Sequence, residues 1–286
     1  MENTYNEENA YGEMRETEET GEKSKLSLDA FTLKIIAIVS MGVHHTIMIL
    51  WELFPLWLHL PLYALRGVTF PIMAFFLTEG FRRTSNIKKY MLRLLIFGAI
   101  AQIPYMIATQ FMQLNIIFTI LLGLICIALY DKFYVRAQQR ALFVVIFVVL
   151  LIVSTFTVEG YFFGPLLIFL YHVIKDEKKR RTYPLIYWGV LTILSKFLSQ
   201  ASLALVDEAT VAAAMQGGVM QLEFLMMQYN VFSIGAFAVI PLLRAYNGEK
   251  GRSAKYLFYV FYPLHFAILA AAALALGFTD FSIFGF

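Results

Sequence analysis

Apolar runs of up to membrane-spanning length recur along this chain, and they constrain its fold more than any other feature. They fall near residues 31–51, 59–80, 90–108, 115–130, 141–157, 161–174, 183–199, 221–243 and 254–276. About 20 apolar residues in an α-helix cross a hydrocarbon layer of about 30 Å. No water is present at that depth to satisfy backbone N–H and C=O groups, so each run must close its own hydrogen bonds as a helix. With 59% hydrophobic residues and a mean hydropathy of +0.67, the composition excludes a soluble domain. The expected fold is all-α: a polytopic integral membrane helical bundle of nine to ten transmembrane helices in contact with membrane lipids. The tenth would be a short or re-entrant helix between Ala201 and Gly218.

Charge placement sets the expected topology. If the loops alternate between the two sides of the membrane, one side receives 21 of the 23 lysines and arginines, leaving only Arg66 and Lys196. Positive residues mark the cytoplasmic face. The chain is therefore expected in the bacterial plasma (cytoplasmic) membrane with its N-terminus in the cytoplasm. The opposite loops carry Glu52, Glu159, Asp207, Glu208, Glu223 and Asp280.

Residues 1–25 hold eight glutamates and almost no large aliphatic side chains. Such a segment buries too little surface to offset its ordering entropy, and reads as a disordered acidic cytoplasmic tail ahead of a membrane domain at 26–286. It lacks the basic start, short apolar core and small-residue cleavage site of a secretory signal. The single cysteine, Cys126, excludes an internal disulfide and a cysteine metal site. No metal, nucleic-acid, nucleophile-elbow or phosphate-loop motif is present, so neither a metal nor a nucleic-acid partner is expected. Chemistry, if the chain performs any, must be built from polar residues dispersed among the helices.

The first run, LDAFTLKIIAIVSMGVHHTIMILWE, contains two adjacent histidines. Ionisable groups are costly in hydrocarbon and mark function there by default. At about 100° per residue Lys34, Met41, His45 and Glu52 share one stripe, while His44 points about 100° away. Arg66 in the second run stays protonated and requires a carboxylate, a carbonyl or an anion; Glu52 and Glu159 are the candidate ion-pair partners. Glu79 lies near the basic end of that run, and Pro71 is positioned to kink it. The segment RRTSNIKKY with Arg93 suits either topology and anionic lipid, or the phosphates of a nucleotide-like donor. His265 follows Tyr262 and Pro263 in the last run, Glu159 sits in a tight Gly160 turn, and Asn115 and Thr119 are spaced to bond across helices. His59 and His172, near run ends beside aromatics, read as interfacial.

Several strings resemble the TraX family of membrane proteins, associated with N-terminal acetylation of conjugative pilin. They are FTLKIIAIVSMGVHHT, RGVTFPIMAFFLTEGFRRTSNIKKYMLRLLIFGAIAQIPY, NIIFTILLG, YNGEKGRSAKY and FYPLH, in the family's order over almost the full length. The family usually shows Asp-His where this chain has His44-His45, and an acidic residue where Gln102 stands. A looser likeness is to the type-three membrane acyltransferase superfamily. There a basic residue closely following Leu-Asp precedes the catalytic histidine by eleven positions, as Lys34 precedes His45 after LDAF.

The resemblance implies an acyltransferase with acetyl-CoA as donor and a peptide amino terminus, a sugar or another small molecule as acceptor. Together with the dispersed polar residues, this makes His45, His44, Arg66 and Glu79 the candidate catalytic residues, and Lys34, Glu52, Asn115, Glu159, Tyr262 and His265 candidate supporting or acceptor residues. The adenine diphosphate end would dock on Arg82, Arg83, Lys88, Lys89, Arg93 and Lys255. Two other classes remain open: a proton-coupled transporter lined by His45, Arg66 and His265, and a non-enzymatic membrane assembly protein.

Overall fold

The computed structural model describes residues 27–134, 136–203, 231–253 and 255–285. These residues form an all-α bundle with two isolated parallel bridges, Leu28 with Tyr246 and Leu114 with Val158. The helices are α1 (Ala30–Ile49), α2 (Leu56–Tyr63), α3 (Arg66–Arg83), α4 (Ile87–Thr109) and α5 (Ile116–Leu129). They continue with α6 (Arg140–Thr157), α7 (Phe163–Val173), α8 (Tyr183–Leu203), α9 (Val231–Arg244) and α10 (Lys255–Leu276).

Among the described residues, six segments are long and apolar enough to cross a membrane: Ala30–Ile49, Trp57–Arg83, Ile87–Thr109, Ile116–Tyr134, Ala137–Thr157 and Tyr256–Leu276. Phe163–Val173 and Ile234–Arg244 are shorter apolar helices. The chain is a multi-pass membrane protein. The expected acidic tail and the possible tenth helix lie outside the described residues, as does the start of the expected run at 221–243.

Polar caps begin the helices where the apolar runs begin. The Asp29 carboxylate accepts from Thr32 N at 2.7 Å and starts α1, Asn86 caps α4 by accepting from Lys89 N at 2.9 Å, and Asn115 caps α5. Asn115 also donates from Nδ2 to Gly98 O at 2.8 Å and to Gln102 Oε1 at 2.9 Å, which pins the start of α5 to α4. At the opposite end of α4, Gln110 adopts a left-handed conformation (φ 57°).

Burial separates the helices into a centre and a rim. The spanning windows of α1 and of the α2–α3 segment are 56% and 59% buried, whereas that of α6 is only 11% buried and turns its valines outward. In hydrocarbon an exposed valine carries no hydrophobic penalty, so α6 reads as a lipid-facing flank. α1 packs on α3, α9 on α3 and α8, α10 on α4 and α1, and α5 on α7.

The second expected run is two helices. α3 continues through Pro71, and the break falls at Ala64–Leu65, where neither glycine nor proline stands. α9 lies against this break: a Cβ at Gly235 would overlap the Ala64 carbonyl oxygen and touch Gly67 Cα, so glycine is what lets the two backbones come this close.

Two internal ties fix the ends of the bundle. At the basic end Leu28 N donates to Ala245 O (2.8 Å), Asn247 N to Leu28 O (3.0 Å) and Ala30 N to Glu249 O (2.9 Å), strapping the loop after α9 onto the start of α1. At the other end Leu114 N donates to Thr157 O (2.9 Å) and Glu159 N to Leu114 O (2.7 Å), joining the α6–α7 turn to the start of α5.

Candidate active site

A cavity of about 510 Å³ lies among α1, α3, α4 and α10, within the size range of small-molecule sites. Its basic end is lined by Arg83, Arg93, Lys250 and Arg252, its middle by rings and aliphatics such as Phe31, Ile38, Met73 and Phe76, and its far end by His44, His45, Arg66 and Glu159. The 18 residues of α3 that run from Arg66 to Arg83 span about 27 Å at about 1.5 Å per residue. The cavity therefore joins a cationic mouth to a buried polar cluster deep in the bundle.

The cluster is built from four helices and one turn. His44 and His45 occupy adjacent positions on α1, 3% and 7% exposed, with ring centroids 4.8 Å apart. His45 Nδ1 lies 2.9 Å from Nε2 of His265 on α10. His44 meets the Tyr63 ring edge-on at 5.2 Å, and Tyr63 Oη accepts from Arg66 Nη1 at 2.8 Å across the α2–α3 break. Arg66 Nη2 stands 4.0 Å from Glu159 Oε1. The break is what places Arg66 at the first turn of α3, facing the α6–α7 turn.

Glu159 is delivered by backbone rather than by a helix. Its N–H is held by Leu114 O, its carbonyl accepts from the Thr119 hydroxyl, and Gly160 supplies the left-handed residue (φ 85°) that the turn requires. Thr69 Oγ1 donates to Ala37 O at 3.1 Å, fastening α3 to α1 about two turns from the histidines. Deeper toward the mouth, Lys34 Nζ lies 4.9 Å from the centroid of Phe76 and 5.6 Å from that of Phe258, so its charge rests on ring faces.

Of the residues singled out from sequence, the cavity gathers Lys34, His44, His45, Arg66, Arg83, Arg93, Glu159 and Tyr262. His265 joins them through its bond to His45. Besides His265, six described ones do not line it: Glu79 and Arg82, which sit beside it, Glu52, which is exposed in the short turn after α1, Asn115, which is occupied as a cap, and Lys88 and Lys89, which are exposed on the first turn of α4. The Lys255 side chain lies outside the described residues.

Glu79 and Arg82 sit beside the cavity in an ionic network that meets its mouth at Arg83. Arg180 is fully buried there: its Nη1 is 2.7 Å from Glu79 Oε1 and 3.0 Å from Glu177 Oε1, Nη2 donates to Thr78 Oγ1 at 2.8 Å, and Nε donates to Tyr171 O at 2.8 Å. Glu79 also pairs with Arg83 at 3.0 Å, and Arg82 reaches Glu177 at 3.3 Å. This network ties the basic end of α3 to the segment after α7. His59 and His172, expected at the interface, are 1% and 3% exposed: His59 Nε2 bonds Phe54 O at 3.0 Å and His172 Nε2 bonds Asp131 at 2.7 Å.

Sequence reasoning passed over Tyr63, Thr69, Tyr90, Trp188, Lys250 and Arg252 as site residues, all but Tyr63 lining the cavity. Tyr63 stands three residues before Arg66, a one-turn spacing that pairs side chains on a helix. Lys250 and Arg252 flank Gly251 in the strapped loop, where a Cβ at Gly251 would overlap the Asp29 carboxylate. Among the described residues no three His, Cys, Asp or Glu side chains converge to hold a metal ion.

Comparison with known proteins agrees in length and extent. A family profile described as "TraX protein" matches residues 29–272. A probable fimbrial assembly protein FimC, serogroup H1, of Dichelobacter nodosus is 27% identical over 265 residues, covering 88% of this chain and 98% of the relative. No solved structure matches.

Proposed function

The chain belongs to the TraX family, and from that premise we propose that it is an integral membrane acetyltransferase of the bacterial cytoplasmic membrane. It would move the acetyl group of acetyl-CoA to an amine or hydroxyl of an exported molecule, with the amino terminus of a pilin-type subunit as the first acceptor to test. The single observation that carries the reading is the cavity, which leads from four basic side chains to a histidine and an arginine at membrane depth.

The residues present fit the donor. Arg83, Arg93, Lys250 and Arg252 offer charge-assisted hydrogen bonds suited to the phosphates of a coenzyme. The apolar neck between them and His45 suits the long, narrow pantetheine arm that carries the thioester. The basic end faces the cytoplasm on this reading, because it gathers the lysines and arginines of the loops. The donor then enters from the side of the membrane where it is made, and the acceptor meets His45 from the other.

At the far end His45 acts as the general base. It takes the proton of the acceptor N–H or O–H as the nitrogen or oxygen attacks the thioester carbonyl. Arg66, held by Tyr63 and Glu159, faces the developing oxyanion, and a fixed guanidinium in a dry site stabilises such charge strongly. Collapse expels the coenzyme thiolate, which recovers the proton from His45. The products are the acetylated acceptor and the free thiol.

The test uses the purified full chain in detergent or nanodiscs, with thiol release from acetyl-CoA measured against peptide and sugar acceptors. Wild-type turnover is expected, with kcat lowered about 10²- to 10⁴-fold in His45→Ala and about 10²- to 10³-fold in Arg66→Gln. If a folded wild type neither binds acetyl-CoA nor releases thiol with any acceptor, the reading fails. Proton-coupled transport or non-enzymatic assembly would then account for the cluster.

A further inference from the structure

We infer that His265 is the positioning residue of the site: it fixes His45 as the Nδ1–H tautomer and so makes Nε2 the basic nitrogen. The inference rests on the reading of His45 as general base and names what orients it.

The argument runs outward from a carbonyl. His265 Nδ1 lies 3.0 Å from Phe261 O, one turn back on α10. A carbonyl oxygen only accepts, so the hydrogen of that bond belongs to His265 Nδ1. Both imidazoles are buried at membrane depth, where a charged ring is costly, and a neutral imidazole carries one N–H. His265 Nε2 is therefore a lone pair. The 2.9 Å contact between that nitrogen and His45 Nδ1 then requires the hydrogen to come from His45. What remains on His45, which lines the cavity, is an unprotonated Nε2.

Packing fixes the ring that does this. His265 is stacked on Phe261 at 5.1 Å with only 11° between the planes, and Phe266 and Tyr262 close on it at 4.3 and 5.3 Å. Phe261 itself reaches α1 at Gly42, where a Cβ would stand 3.3 Å from its Cζ; the glycine three residues before His45 lets α10 come this close. The alternative tautomer of His45 would turn two lone pairs toward each other across 2.9 Å. When His45 accepts a proton at Nε2, its Nδ1–H continues to donate to His265, which disperses the charge without a carboxylate.

The test combines a spectroscopic readout with kinetics on the full chain in nanodiscs. Samples carry ¹⁵N-labelled histidine, and the His45 signals are identified by their loss in His45→Ala. Wild-type His45 is expected to be protonated at Nδ1, and His265→Phe to shift it to the Nε2–H form. In His265→Phe, kcat is expected to fall roughly 10²- to 10⁴-fold while KM for acetyl-CoA stays within about threefold. His265→Gln, whose amide oxygen reaches about as far as Nε2, is expected to restore the Nδ1–H form and most of kcat.

A wild-type His45 protonated at Nε2 overturns the inference, and so does a folded His265→Phe with undiminished kcat. Should His265→Phe not fold, the wild-type tautomer and the His265→Gln variant decide alone. If the tautomer switches as expected while the wild type shows no thiol release, the positioning role stands and the acetyltransferase reading is the one that falls.

Discussion

Removing the Glu79 carboxylate separates a strut from a catalyst. Arg180 is fully buried, and its charge is balanced by Glu79 at 2.7 Å and by Glu177 at 3.0 Å, but Glu177 is half exposed and Glu79 is not. Breaking a buried ion pair typically costs about 3–5 kcal/mol because the surviving charge is left in low dielectric. Glu177 remains to serve Arg180, so Glu79→Ala is expected near the lower bound, about 3 kcal/mol. Glu79→Gln keeps an acceptor and forfeits only the charge, which places it at about 1.5–2 kcal/mol.

The pair Glu79→Leu with Arg180→Met is expected to be less destabilised than either single change, because no buried charge survives in it. Equilibrium unfolding in mixed detergent and SDS micelles, followed by tryptophan fluorescence, measures the five variants against wild type. Thiol release per folded molecule is measured beside it. On the strut reading kcat per folded molecule stays within about threefold of wild type, in contrast to the losses expected of a catalytic acid or base. A Glu79→Gln protein of undiminished stability whose kcat collapses would refute the reasoning and move Glu79 into the reaction.

Further expectations follow from other parts of the bundle. Gly235→Ala is expected to cost about 1–3 kcal/mol and to lower kcat as well, because α9 must withdraw from the α2–α3 break that sets Tyr63 and Arg66; micelle unfolding and thiol release read both. Neutralising Arg93, Lys250 and Arg252 together is expected to raise KM for acetyl-CoA roughly 10- to 100-fold with kcat preserved, and the deficit should shrink as salt is added. The Asp29 carboxyl is held below its ordinary range of about 3.8 by accepting the Thr32 N–H. A lowered folded-state value contributes stability above pH 3.8 that is lost as the pH falls below it. Asp29→Ala should therefore be less stable than wild type at neutral pH, and the difference should fade on acidification through that range.

Much of this architecture is legible in the sequence because a bilayer leaves a spanning segment few options. The runs from Phe31 onward become helices, with caps at Asp29, Asn86 and Asn115 where polar side chains precede them. The break before Arg66 is flanked by Pro61 and Gly67, but the close approach of Gly235 to Ala64 that accompanies it comes from far along the chain and has no local signal. The site divides in the same way. Lys34 and His45 share a face by helical periodicity alone, and Arg66 must find a carboxylate, which proves to be Glu159 rather than Glu52. The bond between His45 and His265 joins positions 220 residues apart, and nothing in either local sequence names the other. Lys250 and Arg252 were visible as loop charges, but only the strap to Leu28 and Ala30 brings them to the mouth.

A cavity lined by Arg83 at one end and by Arg66 and Glu159 at the other reaches across much of the bilayer's thickness, and so it is also a weak point in the membrane's electrical insulation. Its neck of rings and aliphatics offers little to solvate an ion, and at its inner end Arg66 is tied to Tyr63 and Glu159. The side chain proposed to face an oxyanion during acyl transfer is thus expected to limit ion passage as well. Replacing it with a neutral residue would be costly to the cell as well as to the reaction, and the leak would be measurable as proton flux into vesicles containing the protein.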